Sequence, residues 1–152
     1  MKKFVWLSLA PLLLAASSAF AQIRIENAWS RATPPGAKIA AGYMTIRNLS
    51  SAPDKLVSVS SPAAQRVETH VTTTKGGISR MREVKGYDIP AKGAFELKPG
   101  GAHLMLIDVK APLKEGDKVP LVLKFQRSGA KKVELEVRAL GATGDMPGMH
   151  GR

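Results

Sequence analysis

Short runs of alternating apolar and polar residues, each stopped by turn-forming residues within about ten positions, constrain this chain more than any other feature. The clearest lie near the end. Val119, Leu121, Leu123 and Phe125 interleave with Pro120, Val122, Lys124 and Gln126, and Val133, Leu135 and Val137 interleave with Glu134, Glu136 and Arg138. A period of two turns one set toward a core and the other toward water. Strands are expected at 23–28, 41–48, 55–60, 66–73, 78–84, 94–97, 103–109, 119–126 and 131–138. Between them stand Pro34-Pro35-Gly36, Ser61-Pro62, Gly76-Gly77, Pro90-Ala91-Lys92-Gly93, Pro99-Gly100-Gly101 and Ser128-Gly129, all turn chemistry. No segment carries a sustained helical stripe. The expectation is an all-β, antiparallel sandwich or barrel.

The first 21 residues read differently. Lys2 and Lys3 precede an apolar run from Phe4 to Ala16, and Ala19-Phe20-Ala21 fits the small-residue pattern of a signal-peptidase site. The run is shorter than the ~20 residues that span a bilayer, so a cleaved leader is expected rather than an anchor. The expected organisation is a leader over 1–21, one domain over 22–140 and a tail over 141–152. No transmembrane segment is expected after cleavage, and the product is expected to be a monomer.

Of the 152 residues none is cysteine, which excludes thiol redox chemistry, cysteine-ligated copper and iron–sulfur clusters. The net charge is +11, and losing the two leader lysines leaves +9. An exported basic protein has little access to nucleic acid, and none is expected as a partner. Solubility, attraction to anionic surfaces or steering toward an acidic protein remain open. No nucleophile elbow or phosphate loop is present, and no enzymatic activity is expected.

The chemistry-bearing residues are few. Histidine occurs at 70, 103 and 150, and methionine at 1, 44, 81, 105, 146 and 149. His103 and Met105 are two apart on an expected strand, so they share a face, while Leu104 and Leu106 take the other. His70 lies on an earlier expected strand and Met81 on the next one after it. Taken singly, each methionine reads as core filler and each histidine as a hydrogen-bonded surface residue. Together, two imidazoles and two thioethers make a soft, uncharged set suited to copper(I); hard cations want oxygen, and zinc seldom takes thioether. Met44 matches no ligand position and reads as core or rim.

The spacing carries a resemblance. Ten residues separate His70 from Met81, twenty-one separate Met81 from His103, and His103-Leu104-Met105 closes the pattern. Val67-Glu68-Thr69-His70, Arg80-Met81-Arg82, the stretch from Leu97 to Leu106 and Pro112-Leu113-Lys114-Glu115-Gly116-Asp117 add to it. In these features the chain resembles the periplasmic copper chaperones of the PCu(A)C type, over nearly all of the expected mature sequence. A chance match at four fixed positions is of order 10⁻⁴ for a chain of this length.

The resemblance implies a cupredoxin-like, Greek-key β-sandwich in the periplasm. It implies copper(I) held by His70, Met81, His103 and Met105, and delivery toward the copper A centre of cytochrome c oxidase. The receiving partner would be cytochrome c oxidase subunit II or another periplasmic copper chaperone. Met146, Met149 and His150 are candidate auxiliary ligands, which could also help to hold copper(II). A copper storage or resistance protein with no dedicated recipient would use the same site and is the alternative.

Overall fold

A computed structural model describes residues 22–144. The expected leader over 1–21 and the candidate auxiliary ligands Met146, Met149 and His150 lie outside them. Ten strands and no helix make up the described residues: β1 Ile23–Arg31, β2 Ile39–Asn48, β3 Asp54–Ser60, β4 Ala64–Lys75, β5 Ile78–Glu83, β6 Tyr87–Ile89, β7 Ala94–Leu97, β8 Ala102–Val109, β9 Lys118–Phe125 and β10 Gly129–Arg138. The all-β expectation holds.

The strands join in the order β5-β4-β8-β2-β1-β10-β9-β3-β6. A parallel pair, β1 with β10, links two otherwise antiparallel halves, and β3 meets β4 at Val59–Val67 to close the far side. The product is a closed, cupredoxin-like sandwich whose core lies between the halves. Val119, Leu121, Leu123 and Phe125 all point into it, as do Leu135 and Val137. Ile46, Leu56, Ile89, Leu104 and Leu106 are fully enclosed, each removing side-chain surface from water at ~1.5–3 kcal/mol. Gly42 faces Leu135 of the opposite half so closely that a Cβ would lie 2.9 Å from Leu135 Cδ1.

Two local irregularities shape the sheet. In β1 the pairing with β2 shifts between Glu26 and Trp29, and Asn27 takes a left-handed backbone (φ 49°) that asparagine tolerates better than most residues. This bulge lets the neighbouring Trp29 and Ser30 both be buried. It also hides the second half of β1 from a period-two reading, which ends at Ala28.

The other irregularity interrupts what is in effect one long strand. β7 pairs with Met44–Arg47 of β2, and β8 pairs with Ile39–Gly42 on the same edge. Between them the chain leaves the sheet through Lys98-Pro99-Gly100-Gly101 and returns with Lys98 N–H bonded to Ala102 O at 2.9 Å. Gly100 supplies the positive φ (80°) that the excursion requires. The excursion carries the Gly101 carbonyl to the side chain of His103.

Beyond β10 the chain stays tied to the sheet: Arg31 Nε donates to Ala142 O at 2.7 Å, and Asn27 Nδ2 to Gly144 O at 3.4 Å.

Candidate metal centre

The pairing of β5, β4 and β8 gathers the candidate ligands. His70 of β4 stands opposite His103 of β8. Met105, two positions along β8, stands opposite Glu68, two positions along β4. Met81 of β5 stands opposite Thr72, again two positions from His70. Because pairing partners share a face and side chains alternate, His70, Met81, His103 and Met105 all project from one face, and so does Glu68. On the other face Leu104 and Leu106, both 0% exposed, fix β8 in the core.

Met81 reaches across β4 to β8: its Sδ lies 3.1 Å from His103 Nε2. The two imidazole centroids are 5.7 Å apart. His103 is buried at 8% exposure, whereas Met81 is exposed at 53%, so the contact has an inner partner and an outer one. Met105 is half-buried beside them.

The hydrogen bonds specify which ring nitrogens are bare. His103 Nδ1 lies 3.1 Å from Gly101 O, and a carbonyl only accepts, so the proton sits on Nδ1. In the neutral ring Nε2 is then a lone pair facing the lone pairs of Met81 sulfur. Two electron-pair donors held together with no proton between them are poised for a cation. His70 is fixed the other way round. Its Nε2 donates to Glu68 Oε2 at 2.9 Å, and its Nδ1 is buried with no hydrogen-bond partner.

Glu68 is held in turn by Arg66 Nε at 2.8 Å. The Arg66 hydrogen bond, with help from His70, keeps the Glu68 carboxyl below its usual range, so it is an ionised acceptor. Beneath the sheet, Tyr87 O–H reaches the main-chain oxygens of both His70, at 2.7 Å, and His103, at 2.6 Å. Burial pushes its phenol up to about 12, so it stays a donor at any physiological pH.

The donor set is soft. Among the described residues no three His, Cys, Asp or Glu side chains gather to hold an ion. Two imidazole nitrogens and two thioethers instead offer neutral, polarisable donors, the chemistry that suits a monovalent soft metal. Glu68 and Tyr87 escape a reading of the sequence alone. Glu68 has a usable signal, lying two residues before His70 and so on its face in any strand. Tyr87 has only Tyr87-Asp88-Ile89 between Gly86 and Pro90, too short an alternation to mark a strand.

Residues 23–137 match the sequence profile of the LpqE-like family, whose description is that of a lipoprotein. The chain belongs to the LpqE-like family. It is 34% identical over 117 residues to Lxx21020 of Leifsonia xyli subsp. xyli, a protein that carries a lipoprotein's name; the match covers 76% of this chain and 69% of that one. The copper(I) form of DR1885 from Deinococcus radiodurans shares the fold at a TM-score of 0.65 and 34% identity, over 86% of this chain and 87% of that one. The copper-bound PCuAC domain of PmoF2 superposes at a TM-score of 0.67 with 26% identity, over 78% and 93%. As expected from the motif, the chain is PCuAC-like.

Proposed function

We propose that this protein is an exported copper(I) carrier that takes one ion between His70, Met81, His103 and Met105 and passes it to another protein. The observation that carries the reading is the 3.1 Å approach of His103 Nε2 to Met81 Sδ, a lone-pair-to-lone-pair contact on the face that also bears His70 and Met105. The copper-bound states of two solved relatives support the choice of metal. The exposed position of Met81 supports handover, since an acceptor's ligand can approach that side without opening the fold.

The leader over 1–21 and the lipoprotein names among relatives support export to the cell envelope, and we place the mature chain in the periplasm. The intended acceptor is the copper A centre of cytochrome c oxidase, reached directly through subunit II or through a second chaperone. The charge of +9 that remains once the two leader lysines are removed from the +11 of the full sequence favours an acidic acceptor surface. Met146, Met149 and His150 would add weaker donors, including for copper(II).

Competition titration with a copper(I) chelator tests the carrier reading. One tight ion per chain supports it; zinc preferred over copper(I), or no tight ion, sinks it. A deletion strain separates delivery from storage. Loss of oxidase activity at low copper marks delivery, and loss of tolerance confined to high copper marks storage.

A further inference from the structure

The two imidazoles are locked through opposite nitrogens, and the lock on His70 is a side chain rather than the backbone. His103 gives Nδ1–H to Gly101 O and keeps Nε2 bare. His70 gives Nε2–H to Glu68 Oε2, 2.9 Å away, and its bare Nδ1 is buried without a partner. A buried, unpaired nitrogen is unfavourable unless something arrives to use its lone pair.

Glu68 is held on its other side as well. Arg66 Nε holds its other oxygen, Oε1, at 2.8 Å, so the carboxylate is gripped from both sides. It also stands opposite Met105 on the ligand face. Loose there, it would offer a hard oxygen among soft donors. Clamped by Arg66 and occupied by His70, it is kept out of that role.

From this arrangement we infer that Glu68 is a positioning residue which selects Nδ1 as the nitrogen through which His70 takes the ion. One copper(I) is then bound through unlike nitrogens, Nδ1 of His70 and Nε2 of His103. The inference rests on the proposed copper reading. A carboxylate on the far nitrogen of a ligating imidazole fixes the ring's tautomer and raises its basicity, and losing such a partner commonly weakens metal binding ten- to a hundred-fold.

The test is two-bond ¹H–¹⁵N spectroscopy of the histidine side chains, without metal and with copper(I), on the parent, Glu68→Ala and Glu68→Gln. In the parent, copper(I) is expected to perturb Nδ1 of His70 and Nε2 of His103. In Glu68→Ala, His70 is expected to lose its fixed Nε2–H form while His103 keeps its Nδ1–H, and copper(I) affinity is expected to fall about ten- to a hundred-fold. Glu68→Gln retains an oxygen that accepts the Nε2–H and is expected to restore most of the tautomer and part of the affinity. Copper(I) binding to His70 through Nε2 in the parent would overturn the inference and leave the copper reading standing. An unchanged tautomer in Glu68→Ala would overturn it equally. If neither imidazole responds to copper(I), both fall.

Discussion

The hydroxyl of Tyr87 lies 2.6 Å from the main-chain oxygen of His103. The same hydroxyl is 2.7 Å from the main-chain oxygen of His70, so one buried phenol braces the backbone under both candidate imidazoles. Its ring stacks on Phe95 at 4.7 Å between centroids. Gly86, immediately before it, has φ 81° and runs so close to the Leu56 carbonyl that a Cβ there would collide with it.

Tyr87→Phe preserves the ring and removes only this brace. Leaving these two carbonyl oxygens without the one hydroxyl proton they share should cost about 1–3 kcal/mol. Urea unfolding would measure that loss, and copper(I) affinity should weaken with it. Unchanged stability would mean that the hydroxyl does no bracing.

Adjacent residues on β8 should separate stability from binding. Leu104 is fully buried, so Leu104→Ala should cost about 2–5 kcal/mol through lost burial and the cavity left behind. Met105→Leu keeps apolar volume on the opposite face and should change stability by less than about 1.5 kcal/mol. Its copper(I) affinity should nevertheless fall sharply, because a sulfur donor is gone. Thermal unfolding and chelator competition on the pair check both halves. Binding retained in Met105→Leu but lost in Met149→Leu would move the site to the tail.

Asp54 contributes to the acid sensitivity of the fold. Burial pushes its carboxyl up, but hydrogen bonds from the Ser128 hydroxyl at 2.6 Å and from the amides of Arg127, Lys55 and Ser128 outweigh it and leave it lowered. The unfolded chain therefore binds this proton more readily than the folded one. The resulting stability is complete above the ordinary carboxylate range, near pH ~3.9, and is lost as pH falls through the lower folded value. Asp54→Asn should lower stability at neutral pH and flatten its decline below about pH 4. Unfolding curves across that range provide the check, and an equally steep decline in the variant would contradict it.

The binding of copper(I) should itself depend on pH. A ligating imidazole nitrogen must be free of its proton, while thioethers carry none. Apparent affinity should therefore weaken on acidification, with a limiting slope approaching about two protons per ion. In His103→Ala that slope should drop by about one. Affinity that stays flat down to about pH 5 would remove the imidazoles from the ligand set.

Much of this architecture is legible in the amino-acid pattern. β9 and β10 announce themselves because one side of each is apolar at every second residue, and Met44 sits in the core at 1% exposure, as its strand suggests. Where the period breaks, legibility is lost. The bulge at Asn27 shifts Trp29 and Ser30 out of alternation, and β6 is only three residues long. The parallel pairing of β1 with β10 joins segments distant in sequence, and no local pattern encodes it. The four candidate ligands are legible because their residue types are scarce and their spacing is distinctive. Tyr87 is not, because a phenol acquires its role only from the neighbours that folding brings to it, whereas Glu68 leaves a fainter signal in its place two residues from both Arg66 and His70 on one strand.

X-ray absorption at the copper edge of the copper(I)-loaded protein tests the central claim most directly. The account predicts a fitted first shell of about two nitrogen and two sulfur scatterers, an edge typical of the reduced ion, and the loss of about one sulfur in Met105→Leu. A shell of nitrogen and oxygen alone, or a sulfur count unaffected by Met105→Leu, would contradict it.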